Sequence, residues 1–209
     1  MARRDTRELI LATSLVLFNE LGEPNVTTNQ VALEADISPG NLYYHFRSKD
    51  DIVLDLFKRF LLQMQPLLET GASTDMAELC LRLHLILEAM ARHRFLYRNL
   101  ADLHARIPRL RHAIHGLLGR QRQALNEVAR RLRQAGVLSI DDAHLEILTG
   151  SVLSLLTYWI PFAEITHGPG HDGEAAMGQV MAGVLHQYLP YLEPSEARQV
   201  EALAREYLA

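Results

Sequence analysis

Residues 27 to 49, TTNQVALEADISPGNLYYHFRSK, carry three helix-start signals and one tight turn. Thr27 opens a Thr-x-x-Gln pattern ending at Gln30, in which the hydroxyl accepts from the third-residue amide while the glutamine reaches back to the cap. A helix therefore starts there, with Val31, Ala32 and Ala35 as a short apolar face. Asp36 falls where the chain must reverse, a place for glycine or for an acidic residue that tolerates the left-handed conformation. Ser38 reads as the next N-cap, and Pro39 suits a first helical position because its missing amide hydrogen is not needed there. A second helix runs from Gly40 to about Phe46. Ser48 and Asp51 form a further capping box that opens a third, with Lys49 near its start.

Isolated helices below about 12 residues are marginal in water, so both short helices must be held by neighbours. Leu42 and Phe46, four apart, are the inward anchors of the second. Its other face shows Asn41, Tyr43, Tyr44 and His45, all able to hydrogen-bond. A loop-rich corner of an ordinary helical bundle could use such residues for capping and packing. The spacing, however, is that of a helix-turn-helix, which puts the N-terminal end of its second helix into a DNA major groove.

These residues resemble the TetR family of bacterial transcriptional regulators. The family pattern runs Thr, three residues, Ile or Val, Ala, then a turn, Ser-x-Gly-x-Leu-Tyr-x-His-Phe, two residues and Lys. This chain has Thr27, Val31-Ala32, Ser38-x-Gly40-x-Leu42-Tyr43-x-His45-Phe46 and Lys49. Upstream, Ile10 to Gly22 resembles the family's first helix, with Phe18 inward and Gly22 ending it. The likeness covers about the first 60 residues, and beyond them only length and helicity agree. Two departures stand out: Asp36 replaces the common glycine of the turn, and Asn41 replaces a common small hydroxyl residue, which alters the bases read.

Carried over by position, the resemblance implies that Thr28, Asn29, Pro39, Gly40, Asn41, Tyr43, Tyr44, His45 and Lys49 face double-stranded operator DNA. Asn41 is the expected base reader, because an amide pairs bidentately with adenine. Tyr43, Tyr44 and Lys49 are the expected phosphate grips.

The 209 residues, 48% hydrophobic and 22% charged, suit a globular protein with a substantial core. A single cysteine, Cys80, excludes an intramolecular disulfide and a multi-cysteine zinc site, and suits a cytoplasmic protein. Arg3, Arg4 and Arg7 precede an apolar run, but Asp5 and Glu8 interrupt them and no small-residue cleavage site follows, so a secretory signal is not expected. Ile147 to Ala163 is free of charge, yet it contains Thr149, Gly150, Ser151, Ser154, Thr157 and Pro161 and lacks basic flanks. A buried bundle helix explains it better than a membrane span.

Charge gives mixed signals. Residues 1 to 60 hold seven Lys and Arg against nine Asp and Glu, whereas DNA readers are often basic. Placement helps more: Arg3, Arg4 and Arg7 form either an arm for phosphates or a frayed terminus, and Arg47 and Lys49 flank the third helix. Residues 92 to 133 hold eleven arginines against Asp102 and Glu127, while residues 134 to 209 hold ten acids against two arginines. This asymmetry fits helix faces that complement each other, or an anionic small-molecule site with Arg98 or Arg122 turned inward, or extra DNA contacts.

From residue 60 onward the pattern is helix after helix, with breaks at Pro66 to Ser73, near Ile107-Pro108, at Ala135-Gly136 and at His167 to Gly173. Ser139 to Asp142 reads as a capping box opening a long helix to about Thr166. No strand-like alternation persists, so the expected fold is all-α: a helix-turn-helix DNA-binding domain in residues 1–50 and a helical ligand-binding and dimerisation bundle in 51–209. Enzyme signals are weak. His112 and His115 lie three apart, and Glu164-x-x-His167 occurs once where a di-iron bundle needs it twice. HExxH, GxGxxG, Gly-x-Ser-x-Gly and a phosphate loop are all missing from the chain. No cofactor, metal or catalysis is expected.

The resemblance further implies a homodimer, repression and release by a small molecule; an activator, an effector-free DNA-binding protein and an all-α enzyme are the alternatives. Small residues recur on the last two long helices, Gly150, Ser151 and Ser154 on one and Ala175, Gly178, Ala182 and Gly183 on the other, and family resemblance makes them the pairing surface. The expected effector pocket has Tyr158, Trp159 and Phe162 as one wall, Met90, Phe95 and Leu118 opposite, and Arg98 and Arg122 as counter-ions. Its occupant is expected to be amphipathic with an anionic head.

Overall fold

The computed structural model describes residues 3–69, 73–168 and 173–208. Among them are eleven α-helices and no strand: α1 Arg3–Leu21, α2 Thr28–Glu34, α3 Pro39–His45, α4 Lys49–Leu68, α5 Met76–Arg92, α6 Arg94–Arg98, α7 Leu100–Arg106, α8 Pro108–Gln134, α9 Asp142–His167, α10 Glu174–Tyr188 and α11 Pro194–Glu206. The all-α expectation holds. The chain forms two compact units, one of residues 1–63 with 92–114, the other of 64–91 with 115–209. This division differs from a boundary at residue 50, because α4 begins at Lys49 and contributes most of its length to the first unit.

The first unit is built on α1 and α4. Thr6, Ile10, Ser14 and Phe18 recur every four residues along α1 and are all buried, and Ile52, Val53, Leu56, Phe57 and Phe60 do the same for α4. Gly22 ends α1 with φ 80°, a conformation that L side chains rarely adopt. Phe95 of α6 lies against Phe18, with ring centroids 5.3 Å apart, and the Asn19 side chain donates to the Arg92 carbonyl while accepting from the Phe95 amide. These contacts hold residues 92–99 to α1.

The second unit centres on α10, which packs on α9 and α11. Leu148, Val152, Leu156, Trp159, Ile160 and Ala163 form the buried stripe of α9. This helix is long and apolar enough by composition to span a membrane, with a mean hydropathy of 1.3 in its most apolar stretch, but 44% of that stretch is buried inside the fold.

Two boundaries depart from expectation. Pro66 lies inside α4, which runs on to Leu68: proline's φ is already helical, and so close to the end its missing amide removes a single helical bond. Residues 70–72 of the expected break, and 169–172 of the expected loop, lie outside the described residues. Ser139 is not the cap of α9. Asp141 caps it, accepting from the His144 amide at 2.8 Å, while the Ser139 amide bonds the Tyr191 carbonyl.

Candidate nucleic-acid interface

The reader is built from local bonds. Thr27 and Gln30 form the reciprocal capping box: the Gln30 amide donates to the Thr27 hydroxyl at 3.2 Å and the Thr27 amide to the Gln30 side chain at 2.8 Å. Asp36 turns the chain with φ 52°, and among the described residues it is the one non-glycine with a positive φ. Ser38 accepts from the Asn41 amide at 3.1 Å, with Pro39 at the first helical position. Leu42 and Phe46 are buried, as their spacing requires. Ser48 accepts from the Asp51 amide at 3.2 Å, which starts α4.

With α3 anchored in this way, Asn29, Pro39, Gly40, Asn41, Tyr43 and Tyr44 are exposed, Tyr43 by 48% and Tyr44 by 65%; Thr28 and His45 are half-exposed. The Thr28 and Tyr43 hydroxyls lie 2.9 Å apart, tying α2 to α3. The His45 ring meets that of Tyr44 edge-on at 5.2 Å. Eight of the nine expected residues are therefore exposed or half-exposed on α2 and α3, and most of them carry hydrogen-bonding side chains.

Lys49 is the exception. Its ammonium turns inward, donating to the carbonyls of Glu23 at 2.8 Å and Val26 at 3.0 Å and pairing with the Glu23 carboxylate at 3.1 Å. Here the side chain is an internal strut and not a solvent-facing grip, since a buried carboxylate and two carbonyls hold its charge more closely than solvent does. Arg106 completes the cluster, meeting Glu23 at 2.9 Å and also pairing with Asp50. Glu23 is fully buried, and sequence reading missed it; a lone glutamate next to Pro24 carries no local signature of the long-range pair. Arg7 is also committed to the fold, paired with Asp55 at 2.9 Å and lying over the Phe46 ring. The side chains of Arg3 and Arg4 lie outside the described residues.

The eight residues of the expected effector pocket are divided between the two units. Phe95 and Arg98 belong to the first unit, where Phe95 packs on Phe18 and Arg98 donates to the Asn19 carbonyl. Met90 is fully buried. Leu118 is half-buried and Arg122 exposed. Tyr158 and Phe162 are 59% and 69% exposed, whereas Trp159 is buried with no partner for its indole N–H among the described residues. The reason is helical periodicity: Tyr158 and Phe162, four apart, share the exposed face of α9, while Trp159, about 100° round the helix from Tyr158, turns into the core. A cavity of about 130 Å³ does exist in the second unit, lined by none of these eight residues; its walls include Leu79, Cys80, Gln121, Leu125, Leu156 and Tyr188.

Of the expected pairing residues, Ser151, Ser154 and Ala175 are exposed and Gly150 half-exposed, whereas Gly178, Ala182 and Gly183 of α10 pack within the fold. Gly178 is covered by the C-terminal end of its own chain, where an added methyl would come within 2.1 Å of the Tyr207 carbonyl oxygen. Ala182 is buried, and Gly183 packs towards Leu155. What α9 leaves open is instead large and apolar: Ile147, Tyr158, Phe162 and Ile165, with Ser151 and Ser154 between them.

Comparison with known proteins agrees with this geometry. Residues 10–56 match the family profile described as bacterial regulatory proteins, tetR family, and residues 59–200 match one described as bacterial transcriptional repressor. The structure of a TetR-family transcriptional regulator from Marinobacter aquaeolei VT8 is 31% identical, with 100% of each chain covered and a TM-score of 0.89. A gamma-butyrolactone receptor (ArpA-like protein) is 14% identical over 100% of this chain and 98% of its own, TM-score 0.69. SmeT in complex with triclosan is 16% identical over 92% and 94%, TM-score 0.63. At those identities the last two speak for the fold alone. No curated protein matches the chain. The capped helix-turn-helix, the two profiles and the full-length similarity together place the chain in the TetR family of bacterial transcriptional regulators, as a DNA-binding protein.

Proposed function

We propose that this regulator is a cytoplasmic repressor that binds an inverted-repeat operator as a homodimer and leaves it when a small molecule occupies the second unit. The observation that carries the DNA reading is the exposed row Asn41, Tyr43 and Tyr44 on a helix capped at Ser38 and pinned by Leu42 and Phe46. Residues 1–50 do the reading; 51–209 pair the chains and bind the effector. Repression is supported by the description of the profile that spans residues 59–200. Pairing is supported by the apolar stripe of α9, which in water favours burial against a second copy, and a two-fold dimer requires an inverted repeat. Release is supported by the cavity of the second unit and by the ligands named for the butyrolactone receptor and for SmeT. A ligand empties the operator only if it binds the DNA-incompetent arrangement more tightly, and about 100-fold release takes about 2.7 kcal/mol of coupling. Footprinting on the DNA flanking the protein's own gene tests the reading. A protected inverted repeat is expected, and equal binding to random DNA would overturn it.

A further inference from the structure

The cavity walls are hydrocarbon almost throughout, with Leu79, Leu83, Leu125, Val152, Leu156 and Leu185 among them. Two polar side chains interrupt this surface. Gln121 is only 6% exposed, and its amide forms no hydrogen bond among the described residues. The Tyr188 hydroxyl likewise has no partner among them, and burial pushes its phenol up to about 12, so it stays neutral at physiological pH. Neither group is spent on a partner among the described residues, so each can bond to a hydroxyl or carbonyl of a molecule in the cavity. Among the described lining residues the charged one is Arg82, and its guanidinium is engaged: it pairs with Glu78 at 3.0 Å and donates to the Glu69 carbonyl at 3.1 Å. Burial also raises the Cys80 thiol, which keeps that wall uncharged.

We propose that this cavity takes a neutral molecule about the size of one aromatic ring, apolar except for a single hydroxyl or carbonyl group that hydrogen-bonds to Gln121 and Tyr188. The size follows from the 130 Å³ volume, since an apolar cavity of about 150 Å³ in another helical protein takes up benzene. Neutrality follows from the walls: an anionic head, as expected from the arginine excess, would meet no unpaired cation there and would lose its hydration. The biological meaning of the ligand rests on reading the cavity as the effector site, while its binding does not.

Calorimetric titration of the full-length protein at neutral pH with phenol, toluene and benzoate tests this. Phenol is expected to saturate at about one molecule per chain, toluene to bind about three- to tenfold more weakly for want of the hydrogen bond, and benzoate to bind at least about tenfold more weakly than phenol. Gln121→Leu and Tyr188→Phe should each erode the preference for phenol over toluene, and retained toluene binding shows that a variant still folds. Benzoate binding as well as phenol, no saturable binding of phenol, or a preference unchanged in both variants would each overturn the proposal. A gel shift separates it from the release mechanism. Phenol that binds without freeing DNA leaves the ligand class standing and breaks the effector reading; DNA freed by benzoate with no phenol binding does the reverse.

Discussion

The ammonium of Lys49 sits 3.1 Å from the carboxylate of Glu23, whose side chain is wholly buried, and the same nitrogen also donates to two backbone carbonyls in the segment between α1 and α2. The start of α4 is thereby bolted to the entry of the reader. Arg106, from the end of α7, holds the same carboxylate at 2.9 Å, and the second Glu23 oxygen has no partner among the described residues. Taking out one cation therefore leaves a buried carboxylate on a single support, and losses of that kind exceed the net worth of an ordinary hydrogen bond.

Lys49→Met, which keeps the aliphatic stem, should lower the unfolding free energy by about 1–3 kcal/mol, discounted from a fully buried pair because Lys49 is 23% exposed and Arg106 remains. The slope of log K against log salt for DNA binding should stay where it is. A slope reduced by about one unit with stability unchanged would mean that Lys49 meets a phosphate after all. Chemical denaturation and binding measured at several salt concentrations decide between the two.

Asn41 is exposed, and its amide hydrogen is already satisfied by Ser38, so its side chain is free to read a base at little expense to the fold. Asn41→Ala should reduce discrimination at one position of each half-site by about 1–3 kcal/mol, with less effect on random DNA. Selection of binding sites from a randomised library would reveal the relaxed position. Equal losses on operator and random DNA would remove Asn41 from the base contacts.

Asp36 takes a left-handed conformation at φ 52°, where a β-carbon is crowded and glycine is not. Asp36→Gly should be neutral or stabilising by up to about 1 kcal/mol, and Asp36→Val destabilising by more than that, since branching at the β-carbon sharpens the clash. Denaturation midpoints of the two variants check the order. An Asp36→Val variant as stable as the parent would show that the turn relaxes.

The reader was legible because its determinants are local. Thr27, Ser38 and Ser48 cap helices through atoms within three residues of themselves, and Leu42 and Phe46 share a face by spacing alone. The Ser139 reading failed for the same reason in reverse: its amide is taken by Tyr191, more than fifty residues away, and Asp141 is left to cap α9. Lys49 lies within a matching motif, yet its partners come from Glu23 and Val26, which motif spacing does not report. Tyr158, Trp159 and Phe162 formed a cluster in sequence that α9 divides between two faces, and the cavity draws on residues from Leu67 to Tyr188 that no single stretch brings together.

Pairing and internal packing can be separated with two substitutions. Phe162 is 69% exposed on the open apolar stripe of α9, whereas Gly178 is buried against the Tyr207 backbone. Phe162→Glu places a charge in a face expected to be dry in the dimer and should shift sedimentation towards monomer with little change in helix content. Gly178→Ala must push the end of the chain away and should cost about 1–3 kcal/mol of stability while the folded fraction still sediments as a dimer. The opposite pattern, a stable monomer from Gly178→Ala and an unaffected dimer from Phe162→Glu, would return the pairing surface to the small residues of α10 and take it away from the aromatic stripe of α9.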